Sequence, residues 1–106
     1  MIKDEIKEIV KRRLELDTED YINLEKCWDK EAEILSRDIK QTINFIENEC
    51  DDETFCWIGE VFDDVADITQ SKEFITTIKR RAEKIINVKD RKHVEVDIQY
   101  AEYKID

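Results

Sequence analysis

Residues 49–67 of this sequence read ECDDETFCWIGEVFDDVAD. Across residues 53–68, apolar side chains recur every three or four positions, as they do on the buried face of an amphipathic helix. These predicted core residues are Phe55, Ile58, Val61, Phe62, Val65 and Ile68. The segment is therefore predicted to be one helix that packs against others, with Asp51 and Asp52 capping its start.

The outer face of this predicted helix is acidic. Opposite the core, four carboxylates follow the i, i+3, i+4, i+7 spacing that makes side chains neighbours: Glu60, Asp63, Asp64 and Asp67. Trp57 lies at the edge between the two faces. Like charges at these spacings cost about 0.2–0.5 kcal/mol per pair, and the helix has no lysine or arginine to offset them. The arrangement favours a binding use for the face.

The acidic segment also dominates the charge of the chain. Between Gln41 and Ser71 there are nine acids and no lysine, arginine or histidine, while the other 75 residues hold 18 bases and 19 acids. This window therefore carries −9 of the formal net charge of −10. A strongly acidic surface indicates a basic partner and argues against nucleic acid.

Composition predicts the fold class. The 106 residues suit one domain, and they include no proline, one glycine and 43% charged residues, a profile of helix formers with few turn residues. We predict a single all-α domain over residues 1–106, with about five helices packed as antiparallel pairs in an irregular bundle or a short solenoid.

Periodicity places the flanking helices near residues 2–16, 18–35, 37–49, 72–86 and 93–105. Asp17 or Thr18, Ser36 and Ser71 are their predicted N-caps. The pattern over 18–49 also allows one helix, but a rod of about 45 Å would outgrow a small domain. Residues 93–105 alternate like a strand too, yet a lone strand would have no partner, so a helix is favoured.

The lengths of the apolar runs, the N-terminal residues and the spacing of the cysteines predict the compartment and the absence of cofactors. Apolar runs are too short for a membrane span, and the charged N-terminus does not resemble a signal peptide, so we expect a cytoplasmic protein without a membrane partner. Cys27, Cys50 and Cys56 lack metal-site spacing and are interpreted as free thiols. We predict no metal and no cofactor.

Two acidic motifs leave an enzyme as the alternative. Asp63 to Asp67 matches the DDxxD pattern of prenyl-chain enzymes, although those need a much longer chain. Glu60 with Asp63, and Glu49 with Asp52, form two ExxD pairs, as in small all-α nucleotide pyrophosphohydrolases that use Mg²⁺. The two pairs are close in sequence, and no nearby base could hold phosphate.

The runs ILSRDI (34–39), TINFIENEC (42–50), WIGEVFDDV (57–65) and TQSKEFI (69–75) carry a resemblance. Over residues 33–105 the chain is similar to small acidic helical immunity proteins of contact-dependent inhibition and polymorphic-toxin systems. The resemblance implies that the protein has no turnover and blocks a cognate toxin domain, often a basic nuclease.

The predicted function is binding. We expect Trp57, Glu60, Asp63, Asp64 and Asp67 to form the partner surface, with the acids steering a basic protein and the aromatic ring anchoring it. A helical adaptor without a toxin partner is a further alternative. The oligomeric state is left open.

Overall fold

Helices joined by short loops make up the chain, and the computed structural model describes residues 2–106. They are α1 (Ile2–Glu15), α2 (Tyr21–Arg37), α3 (Ile39–Asn48), α4 (Asp52–Ile58), α5 (Phe62–Thr69), α6 (Lys72–Ala82) and α7 (Val88–Tyr103), with a 3₁₀ turn at Gly59–Val61. Residues 2–106 contain no strand, so the all-α prediction is confirmed. Counting α4, the turn and α5 as one broken helix leaves six helical units, close to the number predicted.

Side-chain caps determine where most of the helices begin. In five of them a polar side chain accepts a hydrogen bond from the backbone N–H three residues later: Asp20, Asp38, Asp51, Ser71 and Asn87. Each such bond satisfies one of the backbone donors that a helix start leaves free. The predicted caps at Asp51 and Ser71 are confirmed.

Two predicted caps are wrong. Asp17 accepts from the Glu19 backbone N–H within the preceding turn, so α2 begins later, behind Asp20. Ser36 remains inside α2, and the division between α2 and α3 falls at Asp38, whose backbone is extended. The prediction of two helices over residues 18–49 is nevertheless confirmed, because the break itself exists.

The acidic helix predicted over residues 53–68 is interrupted. A Cβ atom on Gly59 would lie 2.8 Å from Asp97 Oδ2 and 3.3 Å from Val94 Cγ2, so a larger residue would require these side chains of α7 to shift. The tighter 3₁₀ turn rotates α5 relative to α4. Ala66 consequently faces the core, while Ile68, predicted to be buried, is 61% exposed. The other five predicted core residues of this segment are fully buried.

The last helix is longer than predicted. Asn87 caps α7 and starts it five residues before position 93. The helical interpretation of residues 93–105 is confirmed over most of that range, and the strand alternative is wrong. Its strand-like alternation has another cause, since α7 carries apolar residues on two of its faces.

Helix directions differ between neighbours. Helices α1 and α2 are antiparallel, because Glu5 bonds Arg37 and the Cys27 Sγ lies 3.7 Å from the Ile9 carbonyl oxygen. Helices α5 and α7 run in the same direction, because Asp97 lies beside Gly59 and the Lys104 carbonyl accepts from Gln70. Antiparallel pairing is therefore not the general rule of this fold.

Aromatic rings connect the helices at the centre of the core. The Phe62 ring centroid lies 5.3 Å from that of Phe55 and 5.7 Å from that of Phe74, and all three side chains are fully buried. The helices close around them into one globule with principal extents of 32 × 29 × 28 Å. Within the described residues, no helix combines the length and apolar character needed to cross a membrane.

Truncation at the aromatic centre should separate core from surface on α5. Phe62→Ala should lower the free energy of unfolding by about 3–5 kcal/mol, because it leaves a cavity between two rings. Ile68→Ala, on the same helix but exposed, should change it by less than about 0.5 kcal/mol. Urea unfolding followed by circular dichroism measures both, and equal losses would contradict the rotation of α5.

Candidate binding site: the acidic face of α5 and the arginine cluster

Three carboxylates lie on the solvent side of α5, and we call them the acidic face: Asp63, Asp64 and Asp67. Asp64 and Asp67 are exposed and Asp63 is partly exposed. Among the described residues, no lysine or arginine forms an ion pair with any of the three. Partial burial, followed by the neighbouring charge of Asp63, raises the pKa of Asp64. The acidic face therefore holds negative charge that the fold does not neutralise by ion pairing.

Some acids elsewhere on the surface form ion pairs between helices. The pairs that join different helices are Glu5 with Arg37, Glu47 with Arg80, Asp52 with Arg81 and Glu102 with Lys79. Three of these pairs use bases of α6, namely Lys79, Arg80 and Arg81. The bases of α6 thus form ion pairs with acids on α3, α4 and α7, and with none of the aspartates on α5.

Glu60 is separated from the acidic face. Arg13 on α1 donates two hydrogen bonds to its carboxylate, from Nε to Oε1 at 2.8 Å and from a terminal nitrogen to Oε2 at 2.9 Å. Trp28 Nε1 donates a third, at 3.2 Å. The hydrogen bond to Glu60 is the main reason that the pKa of Arg13 is raised. Through these three hydrogen bonds, the Glu60 carboxylate connects α1 and α2 to the 3₁₀ turn.

Trp57 belongs to the same assembly, which we call the arginine cluster: Arg13, Trp28, Glu31, Trp57 and Glu60. The Arg13 guanidinium carbon lies 5.2 Å from the centre of the half-buried Trp57 ring, in cation–π range. The indole also borders an open groove of about 520 Å³ between α4 and α7. The five predicted site residues therefore form two groups, with Trp57 and Glu60 in the cluster and the three aspartates on α5.

Glu31 is the one fully buried member of the arginine cluster. Neither of its carboxylate oxygens has a hydrogen-bond partner among the described residues. Burial, with a smaller contribution from Glu60, raises the pKa of Glu31 to about 8. The side chain is therefore mostly protonated at neutral pH, which avoids the cost of a buried charge.

Asp97 is a second perturbed carboxyl group, beside the 3₁₀ turn. Its Oδ2 atom is buried without a hydrogen-bond partner among the described residues. Burial raises the pKa of Asp97 to about 6, although the charge of His93 opposes the shift. Asp97 Oδ2 is therefore shielded from water at the place where α7 contacts Gly59.

The carboxylates of the alternative Mg²⁺ site do not converge. Asp52 lies 2.6 Å from Arg81, and Glu60 is held by Arg13. Within residues 2–106, no three histidine, cysteine, aspartate or glutamate side chains are grouped so that they could hold a metal ion. Neither the two ExxD pairs nor the DDxxD motif gains a second set of ligands from the fold.

Several site residues could not be found from spacing alone. Arg13 and Glu60 are 47 positions apart, and no local pattern links them. Glu31 occupies a core position of α2, which a search for apolar residues at helical spacing does not identify because its side chain is charged. The sequence contains one relevant signal, the tryptophan Trp28, because an indole N–H needs a hydrogen-bond acceptor when the ring is buried.

Comparison with known proteins identifies no relative: no protein-family model, no curated protein and no solved structure matches the chain.

The Glu31 carboxyl should make stability depend on pH. Its pKa rises from 4.5 in the unfolded chain to about 8 in the folded protein, so the folded state holds more protons between these values. Stability should therefore fall as pH rises from about 4.5 to 8.

Glu31→Gln imitates the protonated form and should remove this contribution, so that the variant gains stability over the wild type as pH rises. Urea unfolding at a series of pH values measures the difference. Asp97→Asn serves as the control, because its effect should be complete near pH 6. Parallel curves for wild type and Glu31→Gln would contradict the burial of an uncompensated carboxyl group.

Proposed function

We propose that the protein is a non-enzymatic binding module that docks on a basic protein through the acidic face of α5. The observation that carries the proposal is that Asp63, Asp64 and Asp67 lie together on one short helix and that none of them forms an ion pair within residues 2–106. Unpaired like charges on one short helix are mutually unfavourable, so a cationic surface would relieve them. The same charges attract such a surface from a distance.

The resemblance to immunity proteins suggests the partner. In that case the partner is the catalytic domain of a toxin, and a nuclease-like domain suits the charge best. A nuclease must present a basic surface to bind phosphates, and an acidic protein face can occupy that surface in place of nucleic acid. A helical adaptor would use the same face on a different basic protein.

Binding of this kind is governed by electrostatic steering. Complementary surface charges raise the association rate above that of neutral proteins, and salt reduces the effect because the Debye length is about 8 Å at physiological ionic strength. Trp57 would contribute from the edge of the interface, because Arg13 already contacts its ring. The acidic face therefore sets the encounter rate, and other contacts must set the lifetime of the complex.

Reversal of the acidic face should slow association. In the variant Asp63→Lys, Asp64→Lys, Asp67→Lys, the association rate with the toxin domain encoded beside this gene should fall on the order of ten-fold at low salt, because steering is lost. The wild-type rate should itself fall as salt rises. Surface-plasmon kinetics at two ionic strengths provides the measurement.

The matched control is Glu15→Lys, Glu19→Lys, Glu25→Lys. These acids are exposed and none forms an ion pair among the described residues, so the variant changes net charge by the same amount elsewhere. A smaller effect of this control would support a local docking face. Equal rates for the two triple variants would show that only net charge matters and would overturn the proposal.

The enzyme alternative has a direct test. Because the acidic pairs do not converge, the protein should release no pyrophosphate from nucleoside triphosphates with Mg²⁺ above the rate without protein. Coupled detection of pyrophosphate measures this. Turnover that Asp63→Asn abolishes, with unfolding unchanged, would replace the binding proposal by a hydrolase.

A further inference from the structure

Helix α7 has an exposed side that no part of the described chain covers. Its buried side consists of Val94, Ile98 and Ala101. At about 100° per residue, these three lie about 140–160° around the helix from Val96, which is 48% exposed. Val96 therefore marks the middle of the side of α7 that points away from the protein.

The exposed side combines lysines with tyrosines, and we call it the lysine–tyrosine face: Lys89, Lys92, Val96, Tyr100 and Tyr103. All five side chains are exposed, the two tyrosines by 61% and 85%. Neither lysine forms an ion pair among the described residues. No aspartate or glutamate of α7 lies within about 80° of Val96 around the helix, although 28 of the 106 residues are acidic. The face is thus a basic and aromatic area on an acidic protein.

The order of these residues along the helix is symmetric about Val96. Lys92 and Tyr100 are each four positions from it, and Lys89 and Tyr103 are each seven positions from it. In two antiparallel helices related by a twofold axis beside Val96, a residue on one side of the axis meets the residue equally far on the other side. Tyr100 would therefore meet Lys92 of the second copy, and Tyr103 would meet its Lys89.

We propose that the lysine–tyrosine face binds a second copy of this chain, as an antiparallel pair of α7 helices with Val96 against Val96. The contact contains each lysine–tyrosine pair twice, because the interface is symmetric. In each pair the lysine alkyl chain covers the ring and the ammonium group lies near its face, in the arrangement of a cation–π interaction. The proposal is independent of the acidic face, since no residue of the lysine–tyrosine face lies on α5.

The charges on α7 permit this symmetric contact. Lys92 of the two copies would lie about 12 Å apart along the helix axis, and Lys89 about 21 Å, at 1.5 Å per residue. Both distances exceed the Debye length of about 8 Å at physiological ionic strength, so the lysines repel one another only weakly. Two copies that approach through α7 bring their acid-free sides together. Salt that screens the net charge of −10 on each copy should therefore strengthen the dimer.

A second copy fits this face better than another anionic partner does. Nucleic acid or an anionic lipid surface would attract the two lysines, but the formal net charge of −10 would repel both. Neither of them requires a tyrosine at the mirror position of each lysine. The symmetric order of side chains therefore selects the second copy.

The size of the contact predicts a weak dimer. Four tyrosine rings, each with about 150–250 Å² to bury, together with the valines and the lysine chains, give a contact on the order of 1,000 Å². This area is at the lower end for a specific interface, so we expect a reversible dimer with a micromolar Kd.

Sedimentation of the 106-residue chain over a concentration series measures the dimer. Tyr100→Ser with Tyr103→Ser should raise its Kd at least about ten-fold without changing the melting temperature, because both rings are exposed. Tyr21→Ser with Ile22→Ser is the matched control, since it removes comparably exposed apolar side chains from α2 and should leave the Kd unchanged.

The lysines are tested with a control of equal charge. Lys89→Glu with Lys92→Glu should also raise the Kd at least about ten-fold. Lys11→Glu with Lys26→Glu changes the net charge by the same amount at exposed lysines of α1 and α2 that form no ion pair among the described residues. Equal effects of the two variants would show that only net charge matters and would refute the face.

Disulfide cross-linking tests the antiparallel register. Val96→Cys should cross-link to its own copy under mild oxidation. Lys92→Cys alone and Tyr100→Cys alone should not, because each lies about 12 Å along the axis from its copy, beyond the reach of a disulfide. A mixture of these two variants should give a cross-linked heterodimer. The wild type, whose three cysteines are free, is the control for background oxidation.

Four results would overturn the inference. The first is a chain that stays monomeric at millimolar concentration, and the second is a dimer that survives both the tyrosine and the lysine substitutions. The third is cross-linking of Lys92→Cys alone as efficient as that of the mixture, which would indicate parallel helices. The fourth is a monomer whose binding to nucleic acid or anionic vesicles is abolished by Lys89→Glu with Lys92→Glu, which would give the face a different occupant.

Discussion

The close approach of α7 to Gly59 is the contact on which the acidic segment depends. A Cβ atom at this position would lie 2.8 Å from Asp97 Oδ2, so any larger residue would require the Asp97 side chain to move. The 3₁₀ turn at this point changes the rotation of the chain, so that Ala66 enters the core and Ile68 leaves it. The same turn places Glu60 against Arg13, apart from the aspartates of α5. The turn thus separates Glu60, which is paired with Arg13, from the aspartates of α5, which form no ion pair among the described residues.

Within residues 2–106, two carboxyl groups with buried, unpartnered oxygens, Glu31 and Asp97, lie near residues of that turn. Glu60 is compensated by two hydrogen bonds from Arg13, whereas Glu31 has no partner among the described residues and avoids a buried charge by remaining protonated. The Arg13–Glu60 ion pair is partly buried, so removing either partner would leave the other charge without compensation. The hydrogen bonds from Arg13 and Trp28 to Glu60 therefore hold α1 and α2 against the turn.

Under the proposed function, the acidic face on α5 would act over a distance of several ångströms and would be sensitive to salt, so it would govern how quickly a basic partner arrives. Contacts made after encounter would govern how slowly the partner leaves.

Local information determined the helical class, two of the N-caps and most of the core of residues 53–68, because periodicity and capping depend on residues within one or two turns. Tertiary structure alone decided that Glu60 pairs with Arg13, that Ile68 is exposed and that α7 has an uncovered second face. These features arise between residues far apart in the chain, such as Gly59 and Asp97. Helical spacing shows which residues share a side of a helix, but only packing selects the side that another helix covers.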